Sequence, residues 1–188
     1  ISTFAAQGIE IIGLCGGYQI LGERIHNPHS LETDVRDSMG LGLLPITTVF
    51  HTEKATRQTS ATINANSPVE GTAGQTVTGY EIHQGQSDTK NGWLEFDSGS
   101  QLCGSSNQEQ NVWGCYLHGL FHNDAFRTAW LRKINHRFNK PLPESGHTST
   151  SFADRIEREL DRLADVIEAS VGADRLLQLT GSSVEAAS

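Results

Sequence analysis

Residues 9–22 read Ile-Glu-Ile-Ile-Gly-Leu-Cys-Gly-Gly-Tyr-Gln-Ile-Leu-Gly. The largely apolar stretch 9–14 predicts a buried parallel strand, and 16–21 predicts the start of a helix. Between them lies a glycine-lined turn with Cys15 at its apex. Gly13 and Gly17 flank the cysteine as Gly-x-Cys-x-Gly, the cysteine counterpart of the strand–turn–helix elbow that presents a nucleophile. Glycines suit such a turn because a Cβ would crowd neighbouring backbone. A thiol placed there is accessible, and the positive end of the following helix favours its thiolate. The Gly16 N–H would face the oxygen of a tetrahedral intermediate.

Outward from this stretch, residues 1–8 read as the tail of a helix. Strands are predicted at 47–50, 59–64, 77–83, 93–96 and 112–117. Residues 27–37 and 99–110 are polar and read as loops. Residues 124–138 have helical spacing through Phe126, Trp130, Ile134 and Phe138, with Asn123 or Asp124 as a candidate cap. Residues 152–171 form an amphipathic helix with Ile156, Leu160, Leu163 and Ile167 on one stripe. Residues 181–188 read as disordered. An early strand, elbow and helix indicate an α/β fold with an open, mostly parallel sheet and flanking helices, its site at the carboxyl ends of strands. A parallel strand needs neighbours. Its arrival at residue 9 implies that the first strands of the sheet lie outside this chain.

Composition narrows the function. The 188 residues carry 22 Asp and Glu against 14 Lys and Arg, a formal charge of −8. Nucleic acid and anionic membrane surfaces are poor partners for such a chain. No apolar run approaches a membrane span. Three unclustered cysteines and no signal-peptide pattern fit a reducing, cytoplasmic setting. Cys103 and Cys115 read as core residues, as do Trp93, Trp113 and Trp130, with an interface the alternative for the tryptophans. Lys54 and Arg57 read as surface charges. His118 with His122, and His26 with His29, lack a third ligand and a glutamate base, so no metal site is expected.

A cysteine nucleophile needs a base. His118 lies in Tyr116-Leu117-His118-Gly119-Leu120-Phe121 and His83 in Gly79-Tyr80-Glu81-Ile82-His83-Gln84-Gly85. Both follow strand-like segments, and spacing alone does not choose between them.

The elbow, the Gly-Tyr-Glu-Ile-His-Gln-Gly segment and the run from Tyr116 to Arg127, in that order, resemble the glutamine amidotransferase domain of the cobyric acid synthase family. The likeness extends from Ile9 to about Val171. It implies a flavodoxin-like fold of the class I glutamine amidotransferase kind, with residues 1–171 a partial amidotransferase domain and 172–188 a tail. It further implies that L-glutamine is hydrolysed and its ammonia passed to an activated carboxylate of a corrinoid in cobalamin biosynthesis. By motif, Cys15 is the nucleophile and His118 its base, while Gly16, Gln19 and His83 bind substrate. ATP and Mg²⁺ are expected for an N-terminal synthetase domain, through which ATP and the corrinoid acceptor would engage. No cofactor is expected in this chain, which has no Gly-x-x-x-x-Gly-Lys-Ser/Thr loop. Many class I amidotransferases place a Glu two residues after the histidine. Leu120 stands there, which implies a Cys–His dyad or another orienting group, for which Glu81 is a candidate. The cell-wall lipid-precursor amidotransferases share the elbow and are the alternative enzyme class; an inactive fragment is the non-catalytic alternative.

Overall fold

The computed structural model describes residues 1–31, 33–97, 99, 102–140 and 151–179. The elements in chain order are α1 (Ser2–Ala6), β1 (Ile11–Leu14), α2 (Gly16–Leu21), β2 (Arg24–His26), β3 (Asp37–Met39), β4 (Thr47–Ile63) and β5 (Thr76–Ser87). Then come β6 (Leu94–Phe96), β7 (Leu102–Cys103), β8 (Ser105–Ser106), β9 (Val112–Cys115), β10 (Leu117–His118), a 3₁₀ turn (Leu120–His122), α3 (Asp124–Arg137), α4 (Phe152–Val171) and α5 (Ala173–Leu179).

The strands form two sheets. One has the order β1-β9-β8, and the other β10-β5-β4-β2-β3, with β6 on β4 and β7 on β6. The fold is α/β as expected, but the sheet is mixed rather than mostly parallel. Only β1·β9 and β2·β4 pair in parallel among the described strands. The reason lies in the connections. A parallel pair needs a long crossover, whereas a short link returns the chain antiparallel. Among the described residues no α-helix lies between α2 and α3. The long β4 and β5 therefore pair antiparallel, with a register shift between Phe50 and Ala55.

Strand β4 is one 17-residue element where two separate strands were expected. Its middle, His51–Gln58, is polar and mostly exposed on both faces, so the alternation that marks a half-buried strand is absent there. The residues expected as a loop at 99–110 contain β7 and β8. Ser151 caps α4 by accepting from the Asp154 N–H at 3.0 Å, and Gly172 ends it at φ 84°. Asn123 does not cap α3. Its Oδ1 accepts from Thr78 N, and its Nδ2 donates to Thr78 O, both at 2.9 Å, clasping β5 instead. The chain divides into two compact units, Ile1–Pro143 and Glu144–Ser188. The expected disordered tail at 181–188 lies outside the described residues, while 173–179 form α5.

The core of the first unit is built on Tyr18, Trp93, Trp113 and Phe126, all fully buried, with Trp130 packed against it. Trp93 and Phe126 stack with centroids 6.1 Å apart. Glu10 is a buried carboxylate whose Oε1 accepts from Trp113 Nε1 at 2.7 Å, Trp130 Nε1 at 3.1 Å and Lys133 Nζ at 3.2 Å. These bonds tie α3 to the chain just ahead of β1.

Two glycines set the approach of β1 to β9. They face one another in the register, and a Cβ on Gly114 would collide with the Gly13 carbonyl oxygen and press on Tyr18. Gly114→Ala should therefore lower the unfolding free energy by about 1–3 kcal/mol, the usual cost of overpacking. Urea denaturation followed by tryptophan fluorescence checks this.

Candidate active site

Cys15 ends β1 and stands at the N-terminal boundary of α2 with φ 52° and ψ −115°. A non-glycine residue at positive φ is strained, and such strain persists where surrounding structure over-determines it. Here the constraints are visible. Cys15 N donates to Cys115 O at 3.0 Å, continuing the β1·β9 register beyond Leu14↔Cys115. Gln19 N donates to Cys15 O at 3.2 Å and closes the first turn of α2. A Cβ on Gly13 would lie 2.7 Å from Gly17 O, so the turn is tight on that side. Gly16 and Gly17 are different: they are exposed, and nothing lies within 4 Å of where their Cβ would be. The expectation that both flanking glycines are needed for space thus holds at Gly13 and not at Gly17. The turn instead opens onto free space over Gly16 and Gly17.

The Cys15 thiol is partly exposed and donates to Ile82 O at 3.3 Å. Strand β5 is also where β10 pairs, with Leu117↔Glu81 and His118↔Tyr80. Cys15 and His118 therefore reach the same strand two residues apart, at Ile82 and Tyr80. His118 is half-buried, and its Nε2 is buried with no hydrogen-bond partner among the described residues. A buried ring nitrogen of this kind is available to take or give a proton.

Leu120, where a Glu would orient the histidine in many relatives, is fully buried in the core. Glu81 does not replace it. Its Oε2 accepts from Arg57 Nε at 2.6 Å and its Oε1 pairs with His83 Nε2 at 2.8 Å. Arg57, read from the sequence as a surface charge, is thus an ion-pair partner. No local pattern signals this, because Arg57 and Glu81 meet through the β4·β5 register. Burial pushes the Glu81 carboxyl up, but the bonds from His83 and Arg57 outweigh it and hold the group below its ordinary value.

His83 is buried. Its Nδ1 donates to Gly85 O at 2.7 Å, and its ring stacks on Tyr116 with centroids 3.8 Å apart. Gln19 is also buried, its Nε2 donating to Tyr116 Oη at 3.3 Å. Of the expected substrate-binding residues, only Gly16 lies on the open side of the elbow; Gln19 and His83 meet behind it, through Tyr116. Burial pushes the Cys103 thiol up to about 12 and Cys115 well above its ordinary value, which leaves Cys15 as the accessible thiol. Clefts of about 620 and 800 Å³ lie elsewhere on the chain, and neither is lined by Cys15 or His118.

Residues 1–126 match the family model of the CobB/CobQ-like glutamine amidotransferase domain. The chain belongs to this family. It is 43% identical over 182 residues to the cobyric acid synthase of Synechocystis sp., covering 95% of this chain and 35% of that protein. To the cobyric acid synthase of Chloroflexus aurantiacus it is 41% identical, over 89% of this chain and 34% of the relative. The chain thus spans about a third of the length of these relatives. The structure of PurLQS from Thermotoga maritima matches with a TM-score of 0.50 at 15% identity, over 72% of this chain and 66% of that one, and supports the class I amidotransferase-like fold.

Because Glu81 is held below its ordinary value, the folded state binds fewer protons there than the unfolded chain. Its stabilising contribution is present above the ordinary glutamate range and is lost as pH falls through the lowered value. The stability gap between the parent chain and Glu81→Gln should therefore shrink on acidification below that range. Urea denaturation across acidic pH checks it; a gap that widens would contradict the assignment.

Proposed function

We propose that this chain is the glutamine-hydrolysing part of cobyric acid synthase, supplying ammonia for ATP-dependent amidation of corrinoid side-chain carboxylates in cobalamin biosynthesis. The observation that carries the reading is the elbow: Cys15 at φ 52° on the strand–helix turn, its thiol on Ile82 of β5, the strand with which the segment carrying His118 also pairs. Family membership and relatives named cobyric acid synthase support the corrinoid acceptor over a cell-wall lipid precursor.

The chemistry follows from these groups. The thiol turns from Ile82 O to His118, whose Nε2 takes the proton. Catalytic hydrogen bonds often close only when substrate is bound, so the resting bond to Ile82 is compatible with this step. Cys15 Sγ attacks the side-chain amide carbon of glutamine, and the oxyanion meets the Gly16 N–H. The C–N bond breaks as His118 returns its proton to the departing ammonia, leaving a glutamyl thioester. His118 then draws a proton from water, which attacks the thioester, releasing glutamate and restoring the thiol. Gly16 contacts substrate, while Gln19 and His83 shape the wall behind the elbow. ATP, Mg²⁺ and the corrinoid act on an N-terminal synthetase domain. The three free cysteines support a reducing, cytoplasmic setting. Among the described residues, no helix is long and apolar enough to cross a membrane.

Cys15→Ala should abolish ammonia release from glutamine; release at the parent rate would overturn the reading. His118→Ala should cost about 10²–10⁴-fold in turnover, the range for a lost general acid–base group. Steady-state ammonia assays with the chain joined to its synthetase domain check both. A silent His118→Ala beside a crippling His83→Ala would move the base to His83.

A further inference from the structure

Strand β5 is built inside out where it passes the elbow. Tyr80 and Ile82, 50% and 39% exposed, face outward, while Glu81 and His83, 3% and 8% exposed, face inward. Burying a carboxylate and an imidazole while exposing two large apolar side chains opposes the ordinary gradient of burial. Such local violations collect where function demands them.

The buried pair belongs to a continuous chain of contacts. Arg57 on β4 holds one oxygen of Glu81 and His83 holds the other. The second His83 nitrogen bonds Gly85 O, so the ring is held at both ends. The clamped ring lies nearly parallel to Tyr116, at 20°. Tyr116 Oη accepts from Gln19 Nε2 and pairs with Ser87 Oγ at 2.8 Å. Gln19 lies on α2, whose first turn carries the backbone of Cys15. Gln19 Nε2 is also packed so closely on Gly85 that a Cβ there would stand 2.7 Å from it. The chain therefore runs from the half-exposed Arg57 through two buried ionisable groups and a buried ring to the helix of the nucleophile. Between Glu81 and His83 it also fixes Ile82, whose carbonyl receives the thiol.

We propose that Arg57, Glu81 and His83 are positioning residues for glutamine binding: through Tyr116 and Gln19 they set α2 and the Cys15 elbow against β5. This rests on the reading of Cys15 as a glutamine-directed nucleophile. None of the three touches the reacting atoms. Glu81 is the centre of the chain, since its loss would leave His83 and Arg57 without their shared acceptor. His83 would then be free to leave the Tyr116 face and loosen Gln19. Misplacement of a nucleophile by a fraction of an ångström costs most when the reagent must be held in one orientation.

The test compares two reagents on the same thiol. The glutamine analogue 6-diazo-5-oxo-norleucine needs the formed glutamine pocket, whereas iodoacetamide needs only an accessible thiolate. Alkylation of Cys15 is timed by peptide mass spectrometry for the parent chain, Glu81→Gln, Arg57→Ala and the double variant, each joined to the synthetase domain. The temperature is one at which circular dichroism finds all of them folded, and Cys103 and Cys115 serve as internal controls. The expected result is a fall of about 10–100-fold in the analogue rate for Glu81→Gln, with iodoacetamide within about threefold of the parent. Arg57→Ala should move the ratio in the same direction, and the double variant should be no worse than Glu81→Gln alone, because members of one network are not additive. In glutamine hydrolysis the same variants should lower kcat/KM by a similar factor. An unchanged ratio of the two rates in a folded Glu81→Gln overturns the proposal. If that variant fails to fold, Arg57→Ala, whose side chain is 45% exposed, decides the matter alone. A parent chain whose Cys15 takes iodoacetamide but never the analogue overturns the glutamine reading itself, and this proposal with it.

Discussion

The close backbone approach of β1 to β9 is the constraint on which the site depends. Gly13 and Gly114 face one another in that pair, and neither has room for a side chain. Their contact lets the register run one step past the strand, so that Cys15 N reaches Cys115 O and the turn closes at a positive φ. The same strand, β9, then leaves its sheet through Tyr116 and re-enters the other as β10, carrying His118 to β5. One glycine pair thus fixes Cys15 directly and places His118, its proposed acid–base partner, three residues downstream of the residue that holds it.

The remaining order comes from charges that the fold buries rather than exposes. Glu10 gathers two indoles and a lysine at the base of β1, and Glu81 gathers an arginine and a histidine beside the site. A buried ion that keeps its partners specifies geometry, and one that loses them is costly. Both carboxylates therefore act as fixed joints between elements that lie far apart in the chain. Joint stiffness matters at an elbow that is proposed to bring its sulfur to an amide carbon at one angle. The thiol's bond to Ile82 O holds the elbow against β5.

Much of this was legible in the sequence because the decisive signals are local. The Gly-x-Cys-x-Gly turn reads directly as an elbow, and the apolar period of 152–171 gives α4 its bounds. What stayed hidden is what depends on register. The middle of β4 is polar on both faces, so nothing in His51–Gln58 announces a strand, and with β4 split the partner of Glu81 could not be found. The parallel sheet was over-read because the first strand and helix suggested a crossover pattern that the later short links do not continue. Asn123 has the side chain of a helix cap, but β5 offers it two backbone groups at once. The i, i+2 spacing of Glu81 and His83 did carry a signal: in a strand these share one face, and Tyr80 and Ile82 share the other. That two charged groups take the inner face is a tertiary fact that alternation alone cannot assign.

The most direct measurement is acid-quench mass spectrometry of the protein, joined to its synthetase domain, during glutamine turnover. The account predicts a transient adduct of one glutamyl group on the peptide carrying Cys15, which accumulates when His118 is replaced by Ala and is absent from Cys103 and Cys115. Ammonia release with Cys15 never acylated, or an adduct on either buried cysteine, would contradict it.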